Sequence, residues 1–199
     1  MSDFQLWKSK SKALPDSITI DGSAYFFRTG FKTILKIFAI LNDPEVIEAH
    51  KAERLIRLFY VDEYPQKHWE EVFGWFIRCG EQPKETTRTE RAFDYDFDAQ
   101  EIYASFLQLY GIDLIETDLH WWQFSALLNG CCYCKCALSE KIRIRTLDVS
   151  RCENKAEAQR AKDSVRIPER IGQGEQITMD QILERLASGE PVSDLLVGA

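Results

Sequence analysis

The densest group of reactive side chains in this chain is a run of four cysteines: Cys131, Cys132, Cys134 and Cys136. Cys131 and Cys134 have the C-x-x-C spacing that is found in zinc sites and in redox sites. A structural zinc site usually combines two such pairs that are set apart in sequence, and a redox pair usually opens a helix that follows a strand. This run is too tightly spaced for one tetrahedron and follows a predicted helix. We therefore expect ordinary thiols and no cofactor, and we keep Cys131, Cys134 and Cys136 as the candidate metal ligands.

A second chemical candidate is an acidic run in which every other residue is an aspartate: Asp94, Asp96 and Asp98. The run resembles the start of a calcium-binding EF-hand loop, which needs glycine at its sixth position and glutamate at its twelfth. Counted from Asp94, those positions hold Ala99 and Ser105, so the calcium hypothesis fails. The aromatic residues that alternate with the aspartates predict a short extended segment with one apolar face.

Histidine catalysis needs a partner group and a pocket, and the sequence indicates neither. The three histidines are His50, His68 and His120. His120 stands beside Trp121 and Trp122, which favours a role in packing or at the surface. The nucleophile-elbow, phosphate-binding, dinucleotide-binding and zinc-protease motifs do not occur. We expect a protein that is not an enzyme.

The composition is that of an ordinary globular protein of 199 residues, long enough for one domain with a sizeable core. The formal net charge is −7, which argues against a broad nucleic-acid surface. No run of about 18 apolar residues is present, so we expect no membrane span. No secretory signal opens the chain, and we expect a soluble, intracellular protein whose cysteines stay reduced.

The elements that must position these residues begin with a β-hairpin. Two β-prone runs, Ile18–Ile20 and Tyr25–Phe27, flank Asp21 and Gly22, and Asp-Gly accepts the positive φ angles of a tight turn. Two strands alone are marginally stable, so the hairpin must pack on a larger body.

That larger body is helical, because apolar residues recur at helical spacing through most of the chain. Five helices are predicted up to residue 130. The first carries Phe31 to Leu41, the second is capped by Asp43 and carries Val46 to Phe59, and the third runs from Trp69 to a stop at Gly80. The fourth is capped by Asp98 with Glu101 and is centred on Phe106, and the fifth spans Thr117 to Leu128, with Ala126 inward and a stop at Asn129-Gly130. A further helical turn over Ser139–Arg145 and an exposed helix over Asn154–Arg166 follow. The paired tryptophans need not both be buried in one monomer, since they point in different directions.

The predicted fold is therefore mainly α: a compact multi-helix domain with a small N-terminal β-hairpin and a short C-terminal amphipathic helix. We expect a loose N-terminus over residues 1–13, the helical domain over 14–168, and a linker with the C-terminal helix and tail over 169–199. The C-terminal helix presents an apolar stripe, Met179, Ile182, Leu183 and Leu186. The stripe either docks on its own domain or binds a partner, and Trp7 is the other candidate for a partner contact.

Several stretches in order resemble one known family. They are LPDSITIDGSAYFFRTGFKTILK, WFIRCGE, FDYDFDAQEIYASFLQLYGIDLIE, LHWWQFSALLNG and EKIRIRTLDVS, and together they cover roughly residues 14–150. The chain is similar to the bacteriophage Gp-fifteen family of tailed phages and prophages. The resemblance carries no catalytic residues. In relatives a polar loop follows the stretch ALLNG, so the cysteine run is a departure from the family.

The resemblance implies a tail assembly chaperone, since the family is encoded next to the tape measure gene. The implied partners are the tape measure protein and the tail tube protein, with self-association of the chain and with no nucleic acid or membrane. The implied location is the cytoplasm of the bacterial host rather than the mature virion. Two alternatives stay open: a structural tail component that is retained in the virion, and a small metal- or redox-active protein.

Overall fold

The first element of the fold is an antiparallel hairpin. The computed structural model describes residues 14–81 and 92–168. Strand β1 (Ser17–Ile20) pairs with β2 (Ser23–Phe26), with Ile18 opposite Tyr25. The turn residues Asp21 and Gly22 have φ angles of 50° and 82°, so the predicted Asp-Gly turn is confirmed.

Seven α-helices make up most of the described residues, as the sequence predicts. They are α1 (Phe31–Leu41), α2 (Glu48–Phe59), α3 (Trp69–Ile77), α4 (Ala99–Tyr110), α5 (Trp121–Cys131), α6 (Ala137–Arg145) and α7 (Lys155–Ser164), with a 3₁₀ turn at Val149–Arg151. None of these helices is both long enough and apolar enough to cross a membrane.

The described residues form two compact units. The first unit contains residues 14–81 and 119–124, and the second contains residues 92–118 and 125–168. The domain boundaries proposed above stay predictions, because residues 1–13 and 169–199 lie outside the described part of the chain. The predicted C-terminal helix lies there too.

Aromatic rings fill the core of the first unit, where α1 packs against α2. Phe59, at the end of α2, is the central ring, with centroids 5.0 Å from Phe27, 4.9 Å from Tyr60, 5.1 Å from Phe73 and 5.4 Å from Phe76. Aromatic pairs at such spacings add to the free energy gained by burying their area. The hairpin thereby shares one core with α2 and α3.

Arg28 attaches the hairpin to the end of α2. Its Nη1 donates to the backbone oxygens of Arg57, Leu58 and Tyr60 at 3.1, 3.1 and 2.6 Å. The last carbonyls of a helix lack partners within the helix and attract cations. Arg28 supplies both a donor and a positive charge there.

The second unit is built on the packing of α4 against α6. Phe106 of α4 and Leu138 of α6 are fully buried. Ser105, also buried, accepts a hydrogen bond from the backbone N–H of Leu138 at 3.1 Å. This bond fixes the start of α6 against α4.

The predicted boundaries are wrong for two helices, α2 and α5. Helix α2 begins at Glu48, with Ile47 at its N-cap position. Asp43 instead accepts from the backbone N–H of Glu45 at 2.9 Å, so it closes a separate turn. Proline and aspartate signal a local turn as readily as a helix start, which explains the error.

Helix α5 starts later than predicted and continues through Asn129 and Gly130 to Cys131. A Cβ atom at Gly130 would lie 2.6 Å from the Tyr110 hydroxyl oxygen. That hydroxyl donates to the Leu127 backbone oxygen at 2.8 Å. Gly130 therefore permits a close approach within the helix instead of ending it. Ala126, predicted to point inward, is exposed.

We expect Phe106→Ala to lower the free energy of unfolding by about 3–5 kcal/mol, because the substitution leaves a cavity in the core. Urea denaturation followed by circular dichroism would measure it. The neighbouring residue Leu107, which is 47% exposed, provides the control: Leu107→Ala should change stability by about 0.5 kcal/mol or less. Equal midpoints for the two variants would contradict the assignment of the buried face of α4.

Candidate functional site

The cysteine run lies where α5 ends and α6 begins. All six cysteines of the chain belong to the described residues, and all six are free thiols. Cys131 and Cys136 are buried, whereas Cys132 and Cys134 are exposed. The three candidate metal ligands therefore differ in exposure: Cys134 is exposed to solvent, whereas Cys131 and Cys136 are buried.

The two buried thiols differ in their acidity. Burial raises the pKa of Cys131 to about 11. Burial also acts to raise the pKa of Cys136, but hydrogen bonds from Ser105 and Ser139 outweigh it, and that pKa is lowered. The Cys136 thiol donates to the Cys131 backbone oxygen at 3.3 Å. Within residues 14–81 and 92–168, no group of three or more histidine, cysteine or acidic side chains is arranged to hold a metal ion.

The acidic run forms a turn, so the prediction of an extended segment is wrong. Asp94 is buried, and its Oδ1 accepts from the backbone N–H groups of Asp96 and Phe97, both at 2.8 Å. Aspartate side chains often close turns in this way. These local hydrogen bonds stabilise a turn, although the alternation of apolar and acidic residues favours an extended segment.

Asp98 is the centre of a buried ion network. Its oxygens accept from the Arg145 guanidinium in a bidentate pair, at 2.9 and 3.0 Å, and Oδ1 lies 3.0 Å from Lys141 Nζ. Lys141 also contacts Glu101 at 2.8 Å. The predicted capping box is therefore wrong: the Asp98 carboxylate makes no cap bond to α4, since two cations and the backbone N–H of Asp94 occupy its oxygens.

The same guanidinium holds two further segments of the second unit. Arg145 donates to the Ala92 oxygen at 2.6 Å and to the Val165 oxygen at 2.8 Å. Burial acts to raise the pKa of Asp98, but the hydrogen bonds from Arg145 and Lys141 outweigh it and lower that pKa. The carboxylate is thus held in its charged form, and four segments of chain meet at one ion pair.

We expect Asp98→Asn to lower the free energy of unfolding by about 3–5 kcal/mol, because it leaves the buried Arg145 without a counter-charge. Urea denaturation would measure the loss. The double variant Asp98→Asn/Arg145→Met should lose less than the sum of the two single losses. Glu140→Gln, in the exposed Glu140–Arg143 pair, serves as the control and should leave the midpoint unchanged. Additive losses would show that the pair is not coupled.

The paired tryptophans are both core residues of the first unit. The Trp121 indole N–H donates to the Ile77 oxygen at 3.0 Å, and the Trp122 indole N–H donates to the Phe76 oxygen at 2.7 Å. These are carbonyls in the last turn of α3. The rings therefore bury a large apolar area and also satisfy the open end of a helix.

His120 caps the start of α5. Its Nδ1 accepts from the backbone N–H of Trp122 at 3.1 Å, and its Nε2 lies 3.1 Å from the Pro15 oxygen. A carbonyl only accepts, so Nε2 must carry the proton and the ring is neutral. Burial lowers the pKa of His120 below the ordinary 6.5, outweighing the Pro15 oxygen and Asp16, which act to raise it.

We expect the first unit to lose stability in mild acid. The pKa of His120 is lower in the folded state than in the unfolded state, so the neutral ring stabilises the fold. This contribution to the free energy of unfolding is complete above about pH 6.5, and it decreases as the pH falls towards and past the folded pKa. Melting temperatures from pH 8 to pH 5 would show this slope. His120→Asn keeps a side-chain oxygen for capping but cannot titrate, so its slope should be shallower. Identical slopes would contradict the role of His120.

One exposed apolar surface was missed by the sequence analysis. It consists of Phe26 and Val61, which are 53% and 45% exposed, and we call it the sheet patch. The only signal in the sequence is that Phe26 stands between Tyr25 and Phe27, so alternation must turn it to the opposite face. The predicted partner contacts, Trp7 and the stripe Met179, Ile182, Leu183 and Leu186, lie outside the described residues and stay predictions.

Comparison with known proteins places the chain in a phage family. The model of the family described as Bacteriophage Gp15 protein matches residues 11–167, which is most of the chain and extends through α7. The chain belongs to this family. No curated protein and no solved structure among those compared matches it.

Proposed function

We propose that this protein is a tail assembly chaperone, which binds the tape measure protein during tail morphogenesis in the cytoplasm of the bacterial host. The observation that carries the proposal is membership of the Gp15 family across residues 11–167. The family resemblance described above links such chains to the tape measure gene. In this function the protein acts by binding rather than by catalysis, and it is absent from the mature virion.

The arrangement of charged and polar groups supports a binding role. Asp98, Arg145 and His120 are among the groups whose types could do chemistry, and each is hydrogen-bonded within its own unit. Breaking those contacts to perform catalysis would cost stability. These side chains therefore serve the fold.

The net charge also supports the proposal. A long apolar partner tends to aggregate, and a chaperone with a formal charge of −7 gives their complex the repulsion that keeps it dispersed. The tail tube protein and further copies of this chain are the additional partners in the proposal.

Co-expression with the neighbouring tape measure protein provides the test. We expect a tagged copy of this chain to recover the tape measure protein from the soluble fraction. The tape measure protein expressed alone should be largely insoluble, because its apolar surface has no cover. A soluble tape measure protein that this chain does not capture would contradict the proposal.

Purified virions distinguish the chaperone from a structural tail component. We expect mass spectrometry of the particles to detect the tape measure protein but not this chain. A stoichiometric amount of this chain in the particles would favour the structural component instead.

A further inference from the structure

We propose that the sheet patch is the surface on which the tape measure protein docks, through a segment that carries apolar side chains flanked by lysine or arginine. This inference rests on the function proposed above and deepens it, because it names the surface and the chemistry of the segment that binds there.

The sheet patch is contiguous because of strand geometry. Phe27 and Tyr60 form an antiparallel bridge, so Phe26 and Val61 stand opposite each other on the next rung. Successive side chains of a strand point to opposite faces. Since Phe27 and Tyr60 are buried, Phe26 and Val61 both face outward. Cross-strand neighbours have Cβ atoms about 4.5–5.5 Å apart, which makes them one apolar surface.

The sheet patch is also held rigidly. The Val61 N–H donates to the Phe26 oxygen at 3.0 Å, and the Arg28 N–H donates to the Phe59 oxygen at 2.7 Å. On the buried face behind the sheet patch, the Tyr60 hydroxyl donates to the Trp69 oxygen at 3.0 Å. A surface ordered before binding loses little conformational entropy when a partner arrives.

The charges around the sheet patch select the occupant. Asp62 and Glu63 are exposed and lie in sequence between Val61 and Tyr64. Arg28, the cation nearest in sequence to Phe26, is directed to the carbonyls at the end of α2. An acidic rim around apolar side chains suits a partner whose apolar residues are flanked by basic ones.

The same charges disfavour a second copy of this chain as the occupant. In a twofold interface a surface meets its own image. Asp62 and Glu63 of both copies would then lie in one interface, which would concentrate four negative charges there. Juxtaposed like charges weaken such a contact. A basic segment of the tape measure protein therefore fits the sheet patch better than a second copy does.

Two variants test the sheet patch, each by the amount of tape measure protein recovered per tagged chain after co-expression. Phe26→Ser/Val61→Ser removes apolar area, and Asp62→Lys/Glu63→Lys reverses the rim. We expect each to reduce recovery about tenfold. Recovery by the unaltered chain should fall as salt rises, and this dependence should be weaker for the rim variant.

Matched controls alter other exposed residues in the same way. Ile115→Ser/Tyr133→Ser removes two apolar side chains that are 70% and 91% exposed, and Glu116→Lys/Glu153→Lys makes the same change in net charge. Both should retain full recovery. Urea midpoints of all variants report folding, and if the serine variant unfolds, the rim variant alone decides.

The outcomes separate this inference from the proposed function. If the unaltered chain recovers the tape measure protein and the folded patch or rim variant recovers as much, the docking surface is wrong and the function stands. If the unaltered chain recovers none, both are wrong. If the sheet-patch variant changes only the molar mass of the free protein, measured by light scattering, a second copy covers the patch and the inference is overturned.

Discussion

Both units of this protein depend on one physical constraint, which is that a polar group removed from water must find a partner. In the second unit the buried carboxylate of Asp98 meets this requirement through Arg145 and Lys141. In the first unit the requirement falls on the end of α3, whose carbonyls accept from the indoles of Trp121 and Trp122. Each solution brings together segments that are distant in sequence, so the polar contacts specify which elements pack together while the apolar contacts supply most of the stability.

The same constraint explains why residues with catalytic potential carry out no chemistry in the proposed function. Asp98 is charged but enclosed by cations, and His120 is held neutral by a donor on one nitrogen and an acceptor on the other. A general acid or base needs access to a reacting group. These residues instead stabilise the fold. The sheet patch differs from these residues, because Phe26 and Val61 leave apolar area exposed to water.

Family membership and surface geometry contribute different parts of the functional argument. The family match covers residues 11–167 and gives the biological setting, which is a bacteriophage. It assigns no residue a role. The sheet patch has a defined position, and in our proposal the acidic residues beside it select a partner with apolar and basic side chains.

The sequence by itself determined the local structure. Hydrophobic periodicity predicted the helices, Asp21-Gly22 predicted the hairpin turn, and Phe106 was correctly placed in the core, because these features depend on neighbours within a few residues. The tertiary structure decided the role of each polar residue. Asp98 has the spacing of a helix cap, and Gly130 has the position of a helix stop, yet Arg145 and Tyr110 assign them other roles. No local pattern contains such information, because the partners are distant in sequence. Arg145 lies 47 residues from Asp98, and Tyr110 belongs to a different helix from Gly130. The outward face of Phe26 was likewise decided by the pairing of Phe27 with Tyr60.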